Sequence, residues 1–151
     1  ELGIWGLRFI LISLAITPLA WLLKRPWPLR LRRMLGLYAF FYCSLHFLVW
    51  LLLDQSLNLT AIIEDVIKRP FITLGTLALL LLIPLAITST AGWQKRLGKR
   101  WLNLHRLVYP IAILIVWHYY WQVKLDTLDA AIYCLILAGL LGLRLWKRKR
   151  L

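Results

Sequence analysis

The chain holds three histidines, and all of them fall in or beside apolar sequence. His46 lies within RRMLGLYAFFYCSLHFLVW. His105 and His118 lie towards the two ends of RWLNLHRLVYPIAILIVWHYYW, which has no charge between Arg106 and Trp121. Imidazole is a poor guest in hydrocarbon, so each ring needs a partner or a purpose. A neutral ring offers one nitrogen lone pair to a metal, while its other N–H seeks an acceptor. The chemistry open to these residues is therefore metal coordination, a proton relay, or a hydrogen bond to a neighbouring helix.

The elements that carry them are membrane spans. The 151 residues are 62% apolar with nine tryptophans and a mean hydropathy of +0.74, well above the apolar share of about 45–50% in soluble domains. The fold class expected is all-α, a single multispan transmembrane helical bundle over 1–151. About 20 helical residues cross a bilayer, and five blocks are long enough: 4–23, 32–53, 71–90, 104–123 and 128–146. Backbone in lipid must satisfy itself, so each block should be helical. Pro18, Pro84 and Pro110 fall inside spans and should kink or loosen them.

The net charge of +13 would point a soluble protein towards nucleic acid, but its distribution excludes that. Lys24, Arg25, Arg30, Arg32 and Arg33 fall in the first connection, and Lys95, Arg96, Lys99, Arg100 and Arg106 in the third; the tail ends LWKRKRL. Alternating spans put all of these on one side. The other side takes Arg8, Lys68, Arg69 and Lys124 with every acid: Glu1, Asp54, Glu64, Asp65, Asp126 and Asp129. The positive-inside rule makes the basic side cytoplasmic and the N-terminus of this chain periplasmic. Leu59, Ile62, Ile63, Val66 and Ile67 recur at helical spacing, which predicts a short helix on the outer surface. Cys43 and Cys134 lie in apolar sequence without a CxxC and are expected to be small buried residues. The start ELGIW has no initiator Met and no basic leader, which suggests a fragment or processed form without a cleavable signal.

Depth then sorts the histidines. At 1.5 Å per residue, His46 and His118 each lie about 22 Å from the cytoplasmic edge. Two histidines at one level of a helical bundle can grip a haem iron from both faces, which favours electron transfer over oxygen chemistry. His105 lies about 19.5 Å below His118 and, on an ideal helix, points about 140° away from it. An inner haem there would lack a second histidine, because the matching positions on the second span are Arg32 and Arg33. It would be five-coordinate, or Arg32 would approach the iron or a propionate; alternatively His105 only caps its helix. Trp117, Tyr119 and Tyr109 are expected to be packing or interface aromatics, with a role in electron tunnelling as the alternative. Two other readings are a non-redox membrane anchor and a proton or metal transporter. The spans hold no acid except Asp129, which argues against the transporter.

The stretches RRMLGLYAFFYCSLHFLVW, KRPFITLG and LAITSTAGWQKRLGKRWLNLHRLVYPIAILIVWH closely resemble the MsrQ (YedZ) family, part of the ferric-reductase-like transmembrane group. The resemblance runs from about Trp5 to the basic tail. It implies a b-type cytochrome of the bacterial inner membrane, with one haem b and a second possible. Such a subunit passes electrons to a periplasmic molybdenum-dependent methionine sulfoxide reductase, MsrP, which repairs oxidised proteins. It further implies quinol or a cytosolic flavin reductase as donor, and FMN binding, for which no residue is assignable by motif. His46, His105 and His118 match the family's haem-histidine positions, and Arg32 a basic residue proposed near the inner haem. The family has six spans with both ends in the cytoplasm, so this five-span sequence is expected to lack the first helix.

Overall fold

The computed structural model describes residues 1–123 and 127–149; Lys124 and Asp126, assigned above to the outer side, lie outside the described residues. The helices are α1 (Leu2–Leu23), α2 (Leu31–Val49), α3 (Leu59–Lys68), α4 (Pro70–Ile87), α5 (Ala91–Leu97), α6 (Lys99–His105), α7 (Val108–Gln122) and α8 (Thr127–Lys149). A 3₁₀ turn, Trp27–Arg30, precedes α2, and a π-helical turn, Trp50–Asp54, continues it. Among the described residues, four segments are long and apolar enough to cross a membrane: Leu2–Leu23, Trp27–Asp54, Pro70–Ile87 and Thr127–Lys147. With 15 residues, α7 is shorter than the usual span of about 20.

The expected span 104–123 is divided, and proline explains where. Pro110 has no N–H, so the Arg106 carbonyl has no partner four residues on. It accepts instead from Tyr109 N–H at 3.1 Å, a tighter turn that separates α6 from α7. Pro110 thus sits in the first turn of α7, where proline is tolerated, and not in a helix interior as expected. The expected span 71–90 stops at Ile87 for a related reason. Thr88 bends its hydroxyl back to the Pro84 carbonyl at 2.6 Å, and Thr90 caps the next helix by accepting from Trp93 N–H. The basic connection is helical on both sides of Gly98, whose φ of 50° and ψ of −123° suit glycine alone.

Between lipid-embedded helices apolar burial gives little drive, so close approach through small residues matters more. Ala39, Ala78 and Ala112 are almost fully buried, packed with Leu7, Ile10, Leu14, Leu82, Ile111 and Ile115 where α1, α2, α4 and α7 meet. Outward faces carry Leu22, Leu53, Leu80, Leu135 and Trp146, all exposed, as a lipid-facing surface should. The predicted surface helix forms as α3, capped by the Asn58 side chain, with Leu59, Ile63 and Ile67 exposed on one face. The thiols of Cys43 and Cys134 are free and half-buried. At the acidic end Arg8 Nε donates to the Tyr133 hydroxyl at 2.9 Å, linking α1 to α8.

Candidate functional site

The regular rise of α2 and α7 brings His46 and His118 to one level near the acidic end. Their ring centroids are 6.2 Å apart and the planes are inclined by 63°. Both line a cavity of about 960 Å³ bounded by α1, α2, α4 and α7, at the upper end of the range for cofactor sites, roughly 300–1,000 Å³. Its lining also carries Glu1, Asp54, Asp65 and Asp129, with Arg69 paired to Asp65.

The surroundings of His118 fix which nitrogen it presents. A carbonyl oxygen only accepts, so the 2.6 Å contact between His118 Nδ1 and the Phe71 carbonyl makes Nδ1 the protonated nitrogen. The Nε2 lone pair is left for a ligand, the arrangement that metal-binding histidines use. The ring is seated on Gly75 of α4, where a Cβ would come within 2.9 Å of Cε1 and Nδ1. His46 rests on Gly3 of α1, where a Cβ would come within 3.2 Å of Cδ2 and Nε2. Two glycines on facing helices therefore make room for the two rings.

The spacing suits one metal ion between the rings. Each imidazole nitrogen lies about 1.1 Å from its ring centroid, given bonds near 1.33 Å. A metal–imidazole length of about 2.0–2.1 Å then separates two opposed centroids by about 6.2–6.4 Å. The observed 6.2 Å falls at the short end of that range, which applies where a nitrogen of each ring faces the other. Among the described residues no group of three or more His, Cys, Asp or Glu side chains forms a cage for a bare ion. The donor set is a pair of imidazoles beside a large space with one apolar wall, Leu7, Ala78, Leu82 and Ile115, which fits haem.

His105 stands apart, on α6, so the ideal-helix angle between it and His118 does not apply. Because the Thr88 hydroxyl donates to Pro84, its oxygen accepts from His105 Nε2–H at 3.0 Å. Trp101 stacks on the ring at 4.0 Å between centroids and donates its Nε1–H to the Thr88 carbonyl at 2.7 Å. His105 and Arg32 do line one space, a second cavity of about 390 Å³ near the basic end. Of the aromatics singled out from sequence, Tyr119 lines the outer cavity and Tyr109 the inner one. Trp117 is half exposed and packs edge-on against Trp121.

Sequence reasoning missed Gly3, Gly75, Thr88 and Arg144. The glycines carry no local signal, since only the facing helix shows why they must be small. Arg144 had one: Pro18 leaves the Leu14 carbonyl without a helical partner, and Arg144 supplies the donor at 2.6 Å.

Residues 2–116 match the ferric reductase like transmembrane component family. The chain belongs to that family of membrane proteins, and within it to the MsrQ group. The protein-methionine-sulfoxide reductase heme-binding subunit MsrQ of Xanthomonas euvesicatoria pv. vesicatoria (strain 85-10) is 55% identical over 146 residues, covering 97% of this chain and 67% of that protein. Its namesake in Ralstonia nicotianae (strain ATCC BAA-1114 / GMI1000) is 50% identical over 147 residues, covering 95% of this chain and 68% of that protein. No solved structure matches the chain.

Proposed function

We propose that this chain is the haem-binding, electron-transferring membrane subunit of a methionine sulfoxide reductase system, with His46 and His118 as the residues that would hold a haem b. The observation that carries the reading is the histidine pair: 6.2 Å between centroids, with His118 Nδ1 tied to the Phe71 carbonyl. The relatives' printed names, as heme-binding subunits of a protein-methionine-sulfoxide reductase, support the same reading.

Held by these two imidazoles, a haem would supply one-electron transfer. The protein's own residues supply the rest. Phe71 holds the His118 tautomer, and Gly3 and Gly75 let both rings approach. Leu7, Ala78, Leu82 and Ile115 line an apolar wall that keeps water away. His105 and Arg32 line the inner cavity, where a second haem or the FMN associated with the family would be received. In this reading α7 is the fifth crossing, and the positive-inside rule places the basic loops and tail in the cytoplasm of a bacterial inner membrane. The outer cavity, with the acidic residues that line it, then faces the periplasm, where the molybdenum-dependent reductase MsrP would take electrons. Quinol or a cytosolic flavin reductase would deliver them at the basic end.

The test is electron delivery. Protein purified in detergent and reduced with dithionite is mixed anaerobically with the periplasmic reductase and methionine sulfoxide. Haem reoxidation that needs both additions supports the reading. A reduced haem that stays reduced with active reductase and substrate present overturns it.

A further inference from the structure

Helix α3 joins α2 to α4 at the acidic end, and its surface divides into three sectors. At about 100° per residue, Leu59, Ile63 and Ile67 share an arc of about 80°. They are 74%, 58% and 75% exposed. Thr60, Glu64 and Lys68 fill the next sector and are exposed as well. The third holds Ala61, Ile62, Asp65 and Val66, all half-buried.

That third sector ties α3 to its neighbours. The Val66 carbonyl accepts from the Thr73 hydroxyl of α4. Asp65 accepts from Gln55 Nε2 at 2.6 Å and pairs with Arg69 at 3.3 Å. Gln55, Asp65 and Arg69 all line the outer cavity, so the inward face of α3 is part of its wall. Both ends of the helix are joints. Ser56 and Leu57 before it take left-handed φ of 46° and 57°, a region that residues other than glycine seldom occupy. Arg69 after it is extended, at φ −115° and ψ 95°, and Pro70 follows. A helix of 10 residues is marginal in water on its own, so what covers its faces decides where it rests.

The order of the sectors identifies the cover of the apolar one. It lies between the face turned to the bundle and the charged face, as it must where lipid meets water beside a bundle. It follows in the chain on Leu52 and Leu53, which are exposed at the end of the second span. The charges of α3 are paired, Glu64 with Lys68 and Asp65 with Arg69, so no surplus charge calls for a partner of opposite sign.

We propose that α3 is an interfacial anchor: Leu59, Ile63 and Ile67 enter the outer leaflet, and the lipid thereby holds the wall that Asp65 and Arg69 give the outer cavity. The occupant is the acyl region of a phospholipid, whatever the charge of its headgroup. The proposal rests on α2 and α4 crossing the membrane and stands whatever His46 and His118 hold.

The experiment uses the full chain with Cys43→Ser and Cys134→Ser in phosphatidylcholine nanodiscs. Leu59→Cys, Ile63→Cys, Ile67→Cys, Glu64→Cys and Lys68→Cys each carry a nitroxide spin label in turn. Collision with oxygen, which partitions into lipid, is compared with collision with a water-soluble nickel chelate. Oxygen should prevail at the three apolar positions and the chelate at Glu64→Cys and Lys68→Cys. Exchanging part of the lipid for phosphatidylglycerol, or adding salt, should leave this pattern in place. A chelate that prevails at all five positions would put the apolar sector in water and overturn the proposal. Exclusion of both reagents from that sector would place protein there and overturn it too; dipolar broadening between labels would identify that protein as a second copy.

The link to the cavity is read on Cys43, which lines it, as the sole thiol in Cys134→Ser. Its reaction with a water-soluble maleimide is compared with and without Leu59→Ser, Ile63→Ser and Ile67→Ser, at equal haem per chain. A closed wall opens only as a minor state of about 0.1–10%, so freeing α3 should speed labelling about tenfold or more. Ile63→Ser alone repeats the comparison should the triple variant fail to fold. An unchanged rate in the folded variant would overturn the coupling of lipid to cavity.

Discussion

Replacing Gly75 with alanine tests the seat of His118 with a single methyl group. The new Cβ would lie 2.9 Å from His118 Cε1 and Nδ1, whereas non-bonded carbons settle at about 3.5–4.0 Å. The ring must therefore retreat by about 0.6–1.1 Å, several times the tolerance of about 0.2 Å for a metal–ligand distance. Retreat also lengthens the 2.6 Å bond to the Phe71 carbonyl, a type of contact whose loss costs about 10–100-fold in metal affinity. That factor corresponds to about 1.4–2.8 kcal/mol. The fold should survive, because overpacking costs about 1–3 kcal/mol while exchanging glycine for alanine in a helix returns about 1 kcal/mol. The assay is a haem titration of detergent-solubilised apoprotein followed at the Soret band, with helicity checked by circular dichroism. Gly139→Ala is the control, since a Cβ there meets nothing within 4 Å. Wild-type haem affinity in folded Gly75→Ala would refute the proposed seat.

Further outcomes follow from other contacts. Thr88→Val removes the acceptor of His105 and the donor to Pro84; unfolding in denaturant should show a loss of about 1–3 kcal/mol, with the outer haem spectrum unchanged. Pro18→Ala returns an N–H to the Leu14 carbonyl, so Arg144→Met should cost less in that background, and a double-mutant cycle of thermal stabilities should show coupling of about 0.5–3 kcal/mol. Asn58→Ala deletes the cap that accepts from Thr60 and Ala61; amide exchange in the first turn of α3 should speed up as for a loss of about 1 kcal/mol. Gly98→Ala forces a side chain into φ 50°, ψ −123° and should destabilise the α5–α6 connection by about 1–3 kcal/mol, measured by proteolysis there.

What sequence could show followed from regularity. A helix rises by a fixed amount per residue, so counting from the arginines at the starts of two spans placed His46 and His118 at one depth, and the rings do meet. The same counting put His105 at the basic end, where it does line a cavity with Arg32. The angle drawn between it and His118, however, assumed one continuous helix where the Arg106 carbonyl turns to Tyr109. Pro110 was visible; that the chain would restart at Val108 instead of kinking was not, since that choice rests on packing. The partners of the histidines were beyond reach for another reason. Phe71 contributes a backbone carbonyl, and Gly3 and Gly75 contribute the absence of a side chain. Neither leaves a pattern in a single sequence. Arg144 was legible in principle through Pro18, four residues after Leu14, but only the fold brings α8 to that carbonyl.

The most direct test of the central claim is the reduced-minus-oxidised absorption spectrum, with haem counted per chain, for wild type, His46→Ala, His118→Ala and His105→Ala expressed with ample haem. A b-type spectrum that is lost with His46 or His118 and persists in His105→Ala is the predicted result. A wild-type spectrum retained in both His46→Ala and His118→Ala would contradict the account, as would the absence of haem from the folded wild-type protein.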